Sequence, residues 1–262
     1  MLAPRVLPQK YIEWNHLHGA PFGFRSPGSF KNKLLRKVGL IDKVYSWDPF
    51  GFQNNSTTRS FEYPWAFSEL ESLNKDVLEI GGGLSGLQFV LSRAGGNVVN
   101  VDPGQPELRS SWQYNQNKFA ELNLRFGTKV KLIPSKIDHA GFKDEIFDSA
   151  YCVSVLEHLP LDEVTTIMTH VWRCLKPGGV FVLTVDLFLN LIPFCSRLSN
   201  EFGSNMNIKW LLDQAPFLIH KGKKSELYGF DEFSAEKVLS QLEAYLMGVG
   251  YPVLTQCLVL KK

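Results

Sequence analysis

The chain is poor in cysteine, in net charge and in long apolar runs. Its four cysteines (Cys152, Cys174, Cys195 and Cys257) are far apart and form no Cys-x-x-Cys pair. That argues against a disulfide framework, and for reduced, mostly buried thiols in a reducing, cytoplasmic compartment. Lys and Arg number 28 against 26 Asp and Glu, a formal charge of only +2. So small an excess provides no electrostatic footprint for nucleic acid and no polybasic patch for a membrane surface. Residues Met1 to Lys10 hold two prolines and no apolar core, unlike a secretory signal. Without such a signal, the sequons in Asn54-Asn55-Ser56-Thr57 mark only a polar loop. The longest apolar run, Val180 to Phe194, is broken by Asp186, Asn190 and Pro193 and is too short and polar to span a bilayer. No His or carboxylate cluster has the spacing of a metal site. Oligomeric state has no signature here.

What is present is an aromatic-rich first quarter followed by alternating strand and helix patterns. Residues 1–70 hold Trp14, Phe22, Phe24, Phe30, Trp47, Phe50, Phe52, Phe61, Tyr63, Trp65 and Phe67. So many aromatics predict an ordered N-terminal extension or lid packed on the main domain, with helical pieces at Ser29–Val38 and Pro64–Leu73. From residue 76 onward the predicted strands are Asp76–Ile80, Val98–Val101, Lys129–Ile133, Phe147–Val153 and Val180–Val185. Between them fall a helix carrying Leu87, Val90, Leu91 and Ala94, a helix at Pro106–Phe126, and one at Leu161–Leu175. The tail adds helices near Asn207–Gln214 and Ser234–Met247, and strands near Phe217–His220 and Pro252–Leu260. The expectation is an α/β fold, a doubly wound, Rossmann-like seven-stranded sheet with helices on both faces. The expected domains are the 1–70 extension and a 71–262 main domain with a substrate-side insertion at about 186–232.

Between the first strand and the first helix stands Gly81-Gly82-Gly83-Leu84-Ser85-Gly86. A glycine turn at the carboxyl end of a buried strand lets a ligand approach the backbone closely. The turn also fits the dinucleotide fingerprint, with Asp102 following at about the expected distance, so a nicotinamide-dependent oxidoreductase is one reading. Glu79 favours another. It ends the strand just before the turn and would repel a pyrophosphate. S-adenosylmethionine has a sulfonium and an amino group, both cationic, and no phosphate.

Four segments in order carry a resemblance: Val77-Leu78-Glu79-Ile80-Gly81-Gly82-Gly83; Val101-Asp102-Pro103; Phe147-Asp148-Ser149-Ala150-Tyr151-Cys152-Val153-Ser154-Val155-Leu156-Glu157-His158-Leu159; and Leu175-Lys176-Pro177-Gly178-Gly179-Val180. Over about residues 75–186 the chain resembles the class I S-adenosylmethionine-dependent methyltransferases of the type 11 kind. That resemblance implies S-adenosylmethionine as cofactor and a sheet whose last strand is antiparallel. It implies Glu79, Gly81, Gly82, Gly83 and Ser85 at the methionine side, and Asp102 on the ribose. It further implies Ile137 and Asp138 near the adenine, and Val153 and Ser154 near the reactive methyl. Lys136 stands where many members have an acidic residue, with the carboxylate displaced to Asp138. A fainter likeness covers Arg59-Ser60-Phe61-Glu62-Tyr63-Pro64-Trp65, similar to a segment in methyltransferases of surface-glycan and related small-molecule pathways. It would set Arg59 or Tyr63 over the cofactor's amino-acid end; the alternative is that these aromatics only pack the extension.

Methyl transfer from a sulfonium is an in-line displacement that needs alignment, water exclusion and, for a hydroxyl acceptor, a base. His158, with Glu157 beside it, is the best-placed candidate base; His139 and His220 are weaker ones. Helix-entry packing is the competing role for the Glu-His-Leu-Pro turn. Tyr114 and Lys118 mimic a short-chain dehydrogenase pair, but too early in the chain for that role. The acceptor site is expected from residues 1–70 and 186–232, which suit a small organic acceptor, sugar-containing or lipophilic, methylated at oxygen or nitrogen. A binding module without turnover is the third reading.

Overall fold

The computed structural model describes residues 1–23, 48–51, 55–70, 73–104 and 116–262. The helix expected at Ser29–Val38, the first part of Pro106–Phe126, and Tyr114 lie outside these described residues.

Seven strands form one sheet: β1 (Asp76–Ile80), β2 (Asn97–Val101), β3 (Lys131–Ile133), β4 (Phe147–Val153), β5 (Leu175–Phe188), β6 (Leu218–Lys221) and β7 (Val253–Lys261). Their spatial order is β3-β2-β1-β4-β5-β7-β6. The first five are mutually parallel, and β7 runs antiparallel to both β5 and β6. This is the expected doubly wound, seven-stranded architecture with its last strand reversed. The order reverses direction at β1, which opens a crevice between the carboxyl ends of β1 and β4.

Alternation along β1 sends Leu78 and Ile80 to one face of the sheet and Val77 to the other. On the first face lies α5 (Leu161–Cys174), whose Val164, Met168 and Val171 are fully buried at helical spacing, with α6 (Ile208–Leu212) beside it. On the second face lie α1 (Gln9–His18), α2 (Arg59–Leu70), α3 (Gly86–Arg93) and α4 (Gln116–Phe126). Covering both faces is what a parallel sheet of apolar strands requires.

The aromatic N-terminal segment shares this second core. Tyr11 packs edge-on against Phe61 at 5.4 Å between ring centroids, and Phe61, Tyr63, Trp65 and Ala66 of α2 are buried with Val77, Val98 and Val259. Its described parts therefore pack on the sheet through a shared core. The expected helix Pro64–Leu73 begins earlier, at Arg59. Pro64 is tolerated inside it because the Ser60 carbonyl, which its missing N–H would have bonded, accepts from Asn15 Nδ2 at 2.7 Å.

Two other boundaries differ from the sequence expectation. Strand β5 runs from Leu175 to Phe188, because the carbonyl of Gly179 accepts from Lys262 N and Asp186, Leu187 and Phe188 continue the pairing onto Thr255, Leu254 and Val253. The helix expected at Ser234–Met247 is only α7 (Ala235–Ser240) plus a 3-10 turn at Leu242–Ala244. Backbone of the N-terminal segment takes its later hydrogen bonds: Arg5 N donates to Ala244 O and Leu246 N to Ala3 O. Tertiary pairing overrides helix propensity there. Among the described residues no helix is long and apolar enough to cross a membrane.

Candidate active site

A cavity of about 930 Å³ opens at the carboxyl ends of β1, β2, β4 and β5. One end is walled by Glu79, the glycine turn, Asp102 and Ile137–Asp138. The other is walled by Arg59, Asp186, Phe202 and Tyr251.

The first end is built around a buried carboxylate. Glu79 and Tyr151 are register partners on β1 and β4. Glu79 is 2% exposed, and no hydrogen bond of good geometry reaches its Oε2, although the Tyr151 hydroxyl and Ser85 stand close enough to draw on the carboxylate. Burial, with the Asp102 charge adding, pushes Glu79 up to about 8 against the pull of Tyr151 and Ser85. A carboxylate this deep, short of a donor, suits a cation. The turn passes directly over it. A Cβ at Gly82 would stand 2.0 Å from the Glu79 carboxyl carbon, and one at Gly81, where φ is 67°, 2.6 Å from Val155. Below the turn, Gln88 donates to the carbonyls of Gly83 and Ser85, and Asn100 donates to Gly83 O and Gln88 Oε1. The Asp102 carboxylate accepts from Gly83 N at 2.7 Å and Gly104 N at 2.8 Å. These contacts fix the turn and Asp102 before any ligand arrives, and the residues present fit a phosphate-free, cationic cofactor.

Past β3, Ile137 is buried in a 3-10 turn and Asp138 is exposed at the cavity rim. Lys136 pairs with Glu163 at 2.9 Å.

The second end holds a buried polar cluster joining α2 to the sheet. Arg59 pairs with Glu62 and donates to Ser154 Oγ at 2.7 Å. Ser154 Oγ lies 2.8 Å from Glu62 Oε1 and 3.2 Å from Asp186 Oδ1, and Thr184 Oγ1 donates to Glu62 Oε1 at 2.6 Å. Ser154 itself sits at φ 47°, in the left-handed region that non-glycine residues avoid. Burial works against the Arg59 charge, but Glu62, Tyr63 and Asp186 outweigh it and hold the guanidinium protonated. Burial, with the Glu157 charge adding, pushes Asp186 well above the carboxylate range; burial also raises Glu157, against the pull of His158 and of the Asp186 N–H. Tyr63, also raised by burial, donates from its hydroxyl to Asn55 Oδ1 at 3.0 Å.

The structure brings together at this cavity Arg59, Tyr63, Glu79, Gly81, Gly82, Gly83, Ser85, Asp102, Ile137, Asp138, Val153, Ser154 and His158. It does not bring Glu157 there. That side chain is buried behind the wall, where Oε1 accepts from Asp186 N at 2.8 Å and Oε2 has no partner. His158 is exposed, and its Nδ1 donates to the carbonyl of Phe202. Of the weaker histidines, His139 is on the surface after β3, and His220 lies on β6, away from the cavity.

The sequence reading missed Glu62, Asp186, Asn55, Phe202 and Tyr251. Asp186 left a signal: like Asp102, it is an acidic residue closing an apolar strand. Glu62 is a lone charge in an aromatic stretch. Val249 and Tyr251 left none; they precede β7, outside both segments expected to supply the acceptor site. Of the 186–232 insertion, only Asp186 and residues 200–203 line the cavity, while α6 and β6 serve the core and the sheet edge.

Comparison with known proteins bears on the domain and its fold. Residues 78–183 match the family described as the methyltransferase domain. A ubiquinone biosynthesis O-methyltransferase of Hydrogenovibrio crunogenus is 25% identical over 67% of this chain and 76% of its own length. A sterol 4-C-methyltransferase of Caenorhabditis elegans is 30% identical over 43% of this chain and 31% of its own length. Among solved structures, the 1,6-didemethyltoxoflavin-N1-methyltransferase of Burkholderia thailandensis shares the fold at a TM-score of 0.53 and 16% identity, covering 100% of this chain and 94% of that one. An S-adenosylmethionine-dependent methyltransferase of Mesorhizobium loti does so at 0.51 and 12%, covering 76% and 98%. Residues 78–183 thus carry a methyltransferase domain, and the comparisons support an S-adenosylmethionine-dependent methyltransferase with S-adenosylmethionine as its methyl donor.

Proposed function

We propose that the protein methylates a hydroxyl oxygen of a small, ring-containing organic acceptor. The observation that carries this reading is one continuous cavity with two unlike ends. One end offers the donor-short carboxylate of Glu79 under a glycine turn; the other offers Asp186 beside Phe202 and Tyr251. Phe202 and Tyr251 are stacked, with centroids 4.4 Å apart, and suit a flat organic body. The relative named as an O-methyltransferase supports oxygen as the nucleophile.

When bound, S-adenosylmethionine supplies a methyl group already activated on a sulfonium sulfur. Glu79 would hold its amino group, and the carboxylate of Asp102 would accept from the ribose hydroxyls. Gly81, Gly82, Gly83 and Ser85 would line the methionine portion, and Ile137 and Asp138 the adenine. Arg59 and Tyr63, with Val153 and Ser154, would stand where the two reactants meet. Their common role is alignment and exclusion of water. A dinucleotide is disfavoured by Glu79, whose carboxylate occupies the space under the turn that a pyrophosphate would face.

The test uses S-adenosylmethionine labelled in its methyl group, offered with catechol, methyl β-glucoside and ortho-phenylenediamine. Label on catechol oxygen is the expected result. Label on glucoside oxygen would keep oxygen as the accepting atom and replace the flat acceptor by a sugar; label on the diamine alone would overturn the assignment.

A further inference from the structure

Asp186 is the least satisfied charged side chain of the acceptor end. It lines the cavity yet is only 2% exposed, so its surroundings are protein and the cavity itself. Its Oδ1 has one neighbour, the Ser154 hydroxyl, at 3.2 Å. That hydroxyl has a single hydrogen, and Glu62 Oε1 lies nearer to it, at 2.8 Å. Asp186 Oδ2 has no hydrogen-bond donor among the described residues. Arg59 is committed to Glu62 and to Ser154 Oγ rather than to Asp186. The Asp186 backbone is fixed by its N–H to Glu157, so the carboxyl is held in place without being satisfied. A buried carboxyl short of donors at a cavity wall invites a donor from the ligand.

From this geometry we infer that Asp186 is a catalytic residue: its carboxylate receives the hydrogen bond, and then the proton, of the acceptor's nucleophilic hydroxyl. The inference rests on the proposed hydroxyl acceptor. In the step, the acceptor oxygen forms a bond to the methyl carbon. The carbon–sulfur bond breaks with its electron pair left on sulfur, and the O–H proton passes to Asp186. No other reactant is needed. Ser154, Glu62 and Arg59 are the positioning residues that fix the carboxyl. His158 is the rival base: its Nδ1 hydrogen goes to the Phe202 carbonyl, which leaves Nε2 as the basic nitrogen, but its side chain is exposed whereas the Asp186 carboxyl is held inside the cavity wall.

The groups facing Asp186 set its proton affinity. They are Arg59 and Glu62 of α2, Ser154 after β4, Glu157 in the following turn, Tyr251 before β7 and Cys257 within it. Burial and the neighbouring carboxylates raise it, which makes the ionised form scarcer but a stronger base.

Two probes separate binding from chemistry. 2-Naphthol and its methyl ether, 2-methoxynaphthalene, differ only in the donated hydrogen. They are titrated by fluorescence in the presence of S-adenosylhomocysteine. The wild-type protein should prefer the naphthol by about tenfold or more, and Asp186→Leu should abolish the preference. Asp186→Asn keeps an accepting oxygen but cannot take a proton. It should retain the naphthol preference and lose catechol methylation by about a hundredfold. Binding of S-adenosylhomocysteine reports whether each variant is folded; if Asp186→Leu is not, Asp186→Asn carries the test. An unchanged preference in Asp186→Leu, a fully active Asp186→Asn, or a wild-type protein that binds neither probe would overturn the inference. Wild-type labelling of catechol tests the proposed function by itself, so the two failures are distinguishable.

Discussion

Glu79 lies directly beneath Gly82, so close that any Cβ at Gly82 would fall 2.0 Å from its carboxyl carbon. The absent side chain and the buried charge form one device. Gly82→Ala should push the carboxylate out of place. We expect S-adenosylhomocysteine binding to fall by more than about tenfold, with a stability loss of about 1–3 kcal/mol from overpacking, read by calorimetry and by thermal melting.

The raised proton affinity of Glu79 fixes a pH dependence of stability. Its folded pKa of about 8 lies above the ordinary value, 4.5, so the folded state binds the extra proton between those values. The Glu79 contribution is fully present below pH 4.5 and lost as pH rises through 8. Ligand-free Glu79→Gln should therefore melt above the wild type at pH 8 and higher, and the gap should close towards acid. A constant gap across the series would mean that Glu79 is not held protonated.

Asp102 is bonded to two backbone N–H groups of the turn region, and it faces the cavity. Asp102→Ala should weaken S-adenosylhomocysteine binding by about 1–3 kcal/mol through lost hydrogen bonds. Unchanged affinity would remove Asp102 from the cofactor site.

Removing Arg59 leaves Glu62 buried without its countercharge, close to Asp186 and Glu157. Arg59→Leu should lower the unfolding free energy by about 3–5 kcal/mol, measured in urea. The double variant Arg59→Leu/Glu62→Leu should recover part of the loss, because no lone charge remains.

His158 and Asp186 make different kinetic signatures. His158→Ala should reduce turnover less than about tenfold, by loosening the Phe202 loop, and leave the pH profile unchanged. Activity should rise with pH above the ordinary carboxylate range, since burial raises Asp186 and only its ionised form accepts a proton. If that rise disappears in His158→Ala, the histidine is the base.

The parallel half of the sheet was legible because its strands are built on apolar runs, β1 closed by Gly81 and β2 by Asp102, and β1 and β4 match the expected bounds to the residue. The cofactor end was legible for the same reason: Glu79, the glycine turn and Asp102 are local in sequence. The acceptor end was not. It joins a helix near residue 60, a strand end at 186, a loop at 202 and a loop at 251. No local pattern links such distant positions. Glu157 was misread because its neighbour His158 faces the cavity, while the 3-10 turn aims the glutamate back at the Asp186 backbone. The tail helix was overextended because its periodicity competes with pairing by residues 3–5, which lie far away in sequence.

The most direct test of the account is a calorimetric titration of S-adenosylhomocysteine into the wild-type protein and Glu79→Gln at neutral pH, in buffers of different ionisation heat, with NAD as the comparison ligand. We predict micromolar binding to the wild type with release of a proton, as the amino group draws the ionised form of Glu79. Glu79→Gln should bind more weakly and release none. Binding of NAD in place of S-adenosylhomocysteine, or equal binding by both proteins without proton release, would contradict the account.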